Sequence, residues 1–88
     1  MNLEINPRTA WRNYDGTVMV ITCDDSKVHT LNETASFLWC RFDGKKRNKE
    51  ELLNMLLENF EIDKNTGNRD LCLFIEEMLS KGILTEAA

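Results

Sequence analysis

The sequence predicts an α+β fold, a three-stranded antiparallel meander followed by three helices. Three observations carry this. The first third of the chain is rich in β-branched and aromatic residues around an Asp15-Gly16 pair, the composition of short strands joined by a tight turn. From Asn32 onward the apolar residues recur at helical spacing behind capping residues. Between the two, KVHTLNETASFLW (residues 27–39) changes from alternation to helical period with no loop residues at the switch.

Each element has its own signal. Residues 1–7 read as loosely ordered, with Pro7 barring a regular start. Thr9 to Tyr14, with Trp11 and Tyr14, reads as the first strand. Asp15-Gly16 supplies the positive φ angles of a type I′ hairpin turn. TVMVIT, residues 17–22, is apolar on both faces and reads as a central strand covered on at least one side. CDDS, residues 23–26, is the next turn, and Lys27 to Leu31 is a third, short strand at the edge of the sheet.

Asn32 is an N-cap with Glu33 in the first turn of the helix it starts. Ala35, Leu38, Trp39 and Phe42 share one face of that helix, and Asp43-Gly44 ends it. KKRNK then reads as a loop. Asn48 and Glu51 form a capping-box pattern ahead of LLNMLLENF, where Leu52, Leu53, Met55, Leu56 and Phe60 make a broad apolar face. Asp63 or Asn65 caps the third helix, and Gly67 weakens its first turn, so its regular part is expected to begin later. Leu71, Phe74, Ile75, Met78 and Leu79 line its apolar face. Gly82 and Ile83 suit a Schellman ending, and Thr85 to Ala88 reads as a short tail.

Length and composition narrow the function. With 88 residues, a single domain spanning 1–88 is expected, its ordered core at about 8–84. A domain of this size buries about 60–65% of the surface of its unfolded chain, enough for one modest core. Eleven basic against fifteen acidic residues give a net charge of −4, which argues against a nucleic-acid partner that needs a positive field. Cys23, Cys40 and Cys72 are widely spaced with no C-x-x-C pair, so reduced thiols are expected and no metal site. The N-terminal stretch lacks the apolar core of a secretory signal, and no apolar run is long enough to span a bilayer. The expectation is a cytoplasmic protein with no membrane partner.

No catalytic constellation can be assembled. His29 is the sole histidine, and no Ser-His-Asp, Cys-His or phosphate-loop pattern accompanies it. It reads as a solvent-facing strand residue or a peptide contact. Asp24 and Asp25 read as turn formers. Phe37 and Cys40 lie off the main face of the first helix and read as packed against the third helix or the sheet. Trp11 and Trp39 read as core. Lys45, Lys46, Arg47 and Lys49 read as a solvated loop or a dock for an acidic surface. A short third strand left open beside a helical layer is notable, because open edges are ordinarily blunted and a strand can be left free to receive another chain.

In order along the chain, HTLNETASFLW, then Asp43-Gly44, a capped leucine-rich helix, and IDKNTGNRDLCLFIEEMLSKGIL resemble the PqqD-like family over residues 8–84. The resemblance implies a winged helix-turn-helix-like domain that recognises ribosomally made, post-translationally modified peptides. Such a domain binds the leader region of a precursor peptide, adding it as a strand, and presents it to a modifying enzyme, a radical-SAM protein where the product is pyrroloquinoline quinone. It implies no catalysis and no cofactor of the chain's own. The positions it points to are Ser26, Lys27, Val28, His29, Thr30 and Leu31 on the third strand, and Arg69, Leu73, Glu76 and Glu77 on the third helix. Leu73 stands among polar neighbours there, so it reads either as a stray exposed leucine or as a groove contact. A monomer or weak homodimer is expected. Two other readings stay open from the sequence: a winged-helix DNA-binding regulator, and a structural subunit whose open edge pairs with itself.

Overall fold

The computed structural model describes residues 2–22 and 27–87. The elements run β1 (Asn2–Ile5), β2 (Ala10–Tyr14), β3 (Thr17–Ile21), β4 (Val28–Thr30), α1 (Glu33–Phe42), β5 (Arg47–Asn48), α2 (Lys49–Asn59), α3 (Lys64–Ser80) and β6 (Leu84–Ala87). The expected meander is the sheet β2-β3-β4, and the three expected helices follow it. Asp15 and Gly16, at φ 49° and 89°, turn β2 into β3 in the type I′ geometry that matches strand twist. Cys23 to Ser26, including the expected turn and the candidate Ser26, lie outside the described residues.

Three expectations from the sequence are corrected. The N-terminal residues and the C-terminal tail are strands, and the basic loop holds a third. β1 pairs antiparallel with β6, from Asn2↔Ala87 to Ile5↔Leu84, and on its other side with β5. This second sheet, in the order β5-β1-β6, buries Leu3 and Leu84. Its strands are too short and too far apart in sequence to announce themselves by pattern.

The third helix also differs. It starts at Lys64, capped by Asp63, and runs straight through Gly67. A Cβ on Gly67 would come within 2.9 Å of Leu57 Cδ2 and 3.4 Å of Ile62 Cδ1. The glycine allows α3 to pack closely on α2, and that packing outweighs its low helix propensity. The Asp63 carboxylate accepts the Thr66 N–H at 2.7 Å. That bond is the main reason its pKa lies below the usual carboxylate value, with further help from the Thr66 side chain.

Helix ends follow the sequence closely. Asn32 Oδ1 accepts the Ala35 N–H, and Asn48 with Glu51 closes a capping box. Gly82 N–H donates to Leu79 O and Ile83 N–H to Met78 O, the two bonds of a Schellman motif. The core joins both sheets to all three helices through Leu3, Val18, Val20, Leu38, Trp39, Phe42, Leu52, Leu56, Leu71 and Met78. Trp39 is buried as expected, but Trp11 is 46% exposed and meets Trp39 edge to face at 5.7 Å. Trp11 stands on an edge strand, so its outer flank has no neighbour to cover it. Phe37 packs on Phe60 at 5.1 Å, beyond α2, and Asn13 Nδ2 on β2 donates to Cys40 Sγ. Arg47 is tied down, donating to Arg41 O and pairing with Glu51.

Candidate functional site

The site grows from the junction between β4 and α1. In the β3–β4 ladder, Leu31 N–H donates to Val18 O and Thr22 N–H to Lys27 O. Hydrogen-bonded pairs alternate along an antiparallel ladder, so Val20 and His29 form the pair between them. The backbone groups of Lys27, His29 and Leu31 therefore turn toward β3. Those of Val28 and Thr30 turn the other way, to the open side of this edge strand.

The junction itself is fastened by Ser36. Its Oγ accepts the Val18 N–H at 2.9 Å and donates to Leu31 O at 3.2 Å. The hydroxyl thus replaces the one ladder bond that is lost where β4 leaves the sheet. Ser36 is buried, so both backbone groups depend on it. It answers why strand can pass into helix with no loop: the side chain one turn into α1 completes the ladder. Sequence reasoning missed Ser36, which is buried on the flank of the expected core face of α1 and carries no apolar signal.

Opposite the open edge stands α3. A groove of about 430 Å³ lies between them, lined by Thr30, Leu31, Asn32, Thr34, Ala35, Asp70, Leu73, Phe74, Glu77 and Met78. Leu31, Phe74 and Met78 are buried and make its floor, whereas Leu73 is 57% exposed at its mouth. Counted from Asp70, the α3 members follow an i, i+3, i+4, i+7, i+8 stripe, as one helical face must. From Leu73 that spacing reaches Asp70 and Glu77, whereas Phe74 and Met78 come from the adjoining apolar face of the helix.

The expected site residues divide accordingly. Thr30, Leu31, Leu73 and Glu77 meet at the groove. Val28 offers backbone to the open edge and points its side chain to the outer face of the sheet, where it is exposed. Lys27 is exposed, and its carbonyl serves β3. His29 lies on the inner face with Val20 rather than facing solvent, and its Nε2 is enclosed with no hydrogen-bond partner among the described residues. Arg69 and Glu76 are exposed and do not line the groove. No group of three or more His, Cys, Asp or Glu among the described residues could hold a metal, and no described helix is long and apolar enough to cross a membrane.

An extended chain laid along β4 could pair with Val28 and Thr30. Its residues opposite those two would share the outer face, and the alternate ones would point into the groove.

Comparison with known proteins gives three findings. A family profile described as Coenzyme PQQ synthesis protein D (PqqD) matches residues 6–84. The solved structure of TbiB1 in complex with the TbiA(beta) leader peptide is similar at a TM-score of 0.84 and 21% identity, covering 97% of this chain and 98% of that one. Lasso peptide synthetase B1 complexed with the leader peptide is similar at a TM-score of 0.78 and 16% identity, covering 96% and 98%. At these identities the likeness establishes the fold, a winged helix-turn-helix-like α+β domain. No curated protein matches the sequence.

Proposed function

The chain belongs to the PqqD family, and from that premise we propose that it binds the leader region of a ribosomally made precursor peptide and presents it to a modifying enzyme. The observation that carries this reading is the coincidence of an open strand edge at Val28 and Thr30 with the groove walled by α3. Backbone bonds to the edge supply affinity without regard to sequence, and the groove selects register through alternate side chains. The two similar structures, each a complex with a leader peptide, support leader binding.

In this reading the chain binds and does not catalyse. The chemistry sits on a separate enzyme, a radical-SAM protein if the product is pyrroloquinoline quinone and another modifying enzyme if it is a different peptide. Holding the leader while touching the enzyme raises the local concentration of the modifiable segment at the active site. DNA binding is no part of this role, and α3 would suit DNA poorly. It carries Asp70, Glu76 and Glu77 against Lys64 and Arg69, and Lys81 just past its end is paired with Glu77.

The test is an NMR titration of the labelled protein with the leader half of a precursor encoded beside its gene. Amide shifts at Val28 and Thr30 and along Asp70 to Met78 are expected. Shifts confined to β2 or to the Lys45–Lys49 stretch, with β4 and α3 silent, would refute strand addition here.

A further inference from the structure

The groove is apolar at its floor and of one charge at its rim. Asp70 and Glu77 both line it, and among the described residues no Lys or Arg does. The two carboxylates differ in how far they are already neutralised. Lys81 Nζ lies 2.7 Å from Glu77 Oε1. The Arg69 guanidinium reaches Asp70 only at 4.0 Å, from a side chain that is 71% exposed. Asp70 therefore keeps the larger unspent attraction for a cation.

Spacing decides which guest residue could use it. Along α3, at about 1.5 Å per residue, Leu73 lies roughly 4.5 Å from Asp70 and roughly 6 Å from Glu77. Same-face side chains of a strand are about 6.8 Å apart. For a guest strand running along α3, a side chain resting on Leu73 and Phe74 has its inward neighbour, two positions along, close to one of the carboxylates. The flexible apolar stem of Lys or Arg covers the remaining distance and lies on the groove wall.

The geometry points to a leader segment that carries a basic residue two positions from an inward-facing apolar residue, with the cation held at Asp70 and the apolar side chain on Leu73 and Phe74. This rests on the leader-binding reading and adds a rule for which leaders are accepted. An acidic residue at the same place is repelled. The side of the apolar residue on which the cation falls reports the direction of the bound strand.

A random-sequence peptide library selected in parallel on the wild-type protein and on Asp70→Asn tests the rule. The wild-type pool should be enriched in Lys or Arg two positions from an apolar residue, and the Asp70→Asn pool should keep the apolar residue and lose the basic one. By fluorescence anisotropy at low salt, a wild-type peptide should bind Asp70→Asn about two- to fivefold more weakly and Glu76→Gln unchanged. The same peptide with Glu for Lys should bind wild type worse and Asp70→Lys better. Selected peptides that shift the Val28, Thr30 and Leu73 amides but show no basic preference, or the same preference on Asp70→Asn, overturn the rule and leave leader binding standing. No selected peptide, or shifts away from these residues, overturns both.

Discussion

The sheet β2-β3-β4 and the sheet β5-β1-β6 each have three antiparallel strands, and they are built in opposite ways. The first is made of neighbours: Tyr14 pairs with Thr17 across a two-residue turn, and Ile21 pairs with Val28. The second joins the ends of the described chain, Asn2 to Ala87, and ties Leu3 to Arg47. A sheet of local hairpins leaves its outer face and its edges free, as the exposed Tyr14, Ile21 and Val28 record. A sheet of distant segments closes the domain, at a larger cost in loop entropy that its buried Leu3 and Leu84 must offset. The difference suggests a division of labour in which the terminal sheet holds the fold while the hairpin sheet can spare an edge for a partner.

The sharpest break of that division would come from Leu3→Ala. The side chain is fully buried, so a loss of about 2–5 kcal/mol is expected in chemical denaturation, with peptide affinity of the folded fraction unaltered. If affinity fell in step, the two sheets would not be separable. Ser36→Ala comes next, because it strands the Val18 N–H and the Leu31 carbonyl. A loss of about 1–3 kcal/mol is expected, together with weaker peptide binding, since the β4–α1 junction forms one wall of the groove.

Proline substitution sharpens the comparison within β4 itself. Val28→Pro removes an N–H that faces the open side, which an edge strand tolerates. Circular dichroism should be native-like while peptide affinity falls about tenfold, the worth of a lost hydrogen bond at the upper end of its range. His29→Pro removes an N–H that faces Val20, and it should instead disrupt the hairpin. The reverse pattern would show that the ladder alternates the other way. Leu73→Ala should leave stability within about 0.5 kcal/mol, as befits an exposed position, and weaken the peptide a few-fold by calorimetry. The smallest effect belongs to Asp63, whose folded pKa is lowered. Its contribution is present above the unfolded carboxylate pKa and fades as pH falls through the folded one. The stability gap between wild type and Asp63→Asn should therefore stay constant above the ordinary aspartate range and close as pH falls below it.

Much of this was legible in residue order, and the reasons differ by element. The Asp15-Gly16 turn, the Asn32 and Asn48 caps and the Gly82-Ile83 ending are read within four or five residues, and all are present. Gly67 misled because propensity is a local quantity and the reason for that glycine, the approach of Leu57, lies on another helix. His29 reads from the sequence as a solvent-facing strand residue or a peptide contact, whereas its face is set by register with Val20. Arg69 and Glu76 shared a helix with the groove but not its face.

Turn chemistry, helix caps and the order of the hairpin strands and helices follow from the amino-acid order alone, since each depends on backbone preferences and contacts a few residues apart. The pairing of the two ends, the hydroxyl that completes the ladder at Leu31, and the matching of the β4 edge to the Asp70–Glu77 face of α3 exist only once the chain has folded. Each of these unites segments distant in sequence, where no local preference acts and register and packing decide which groups meet.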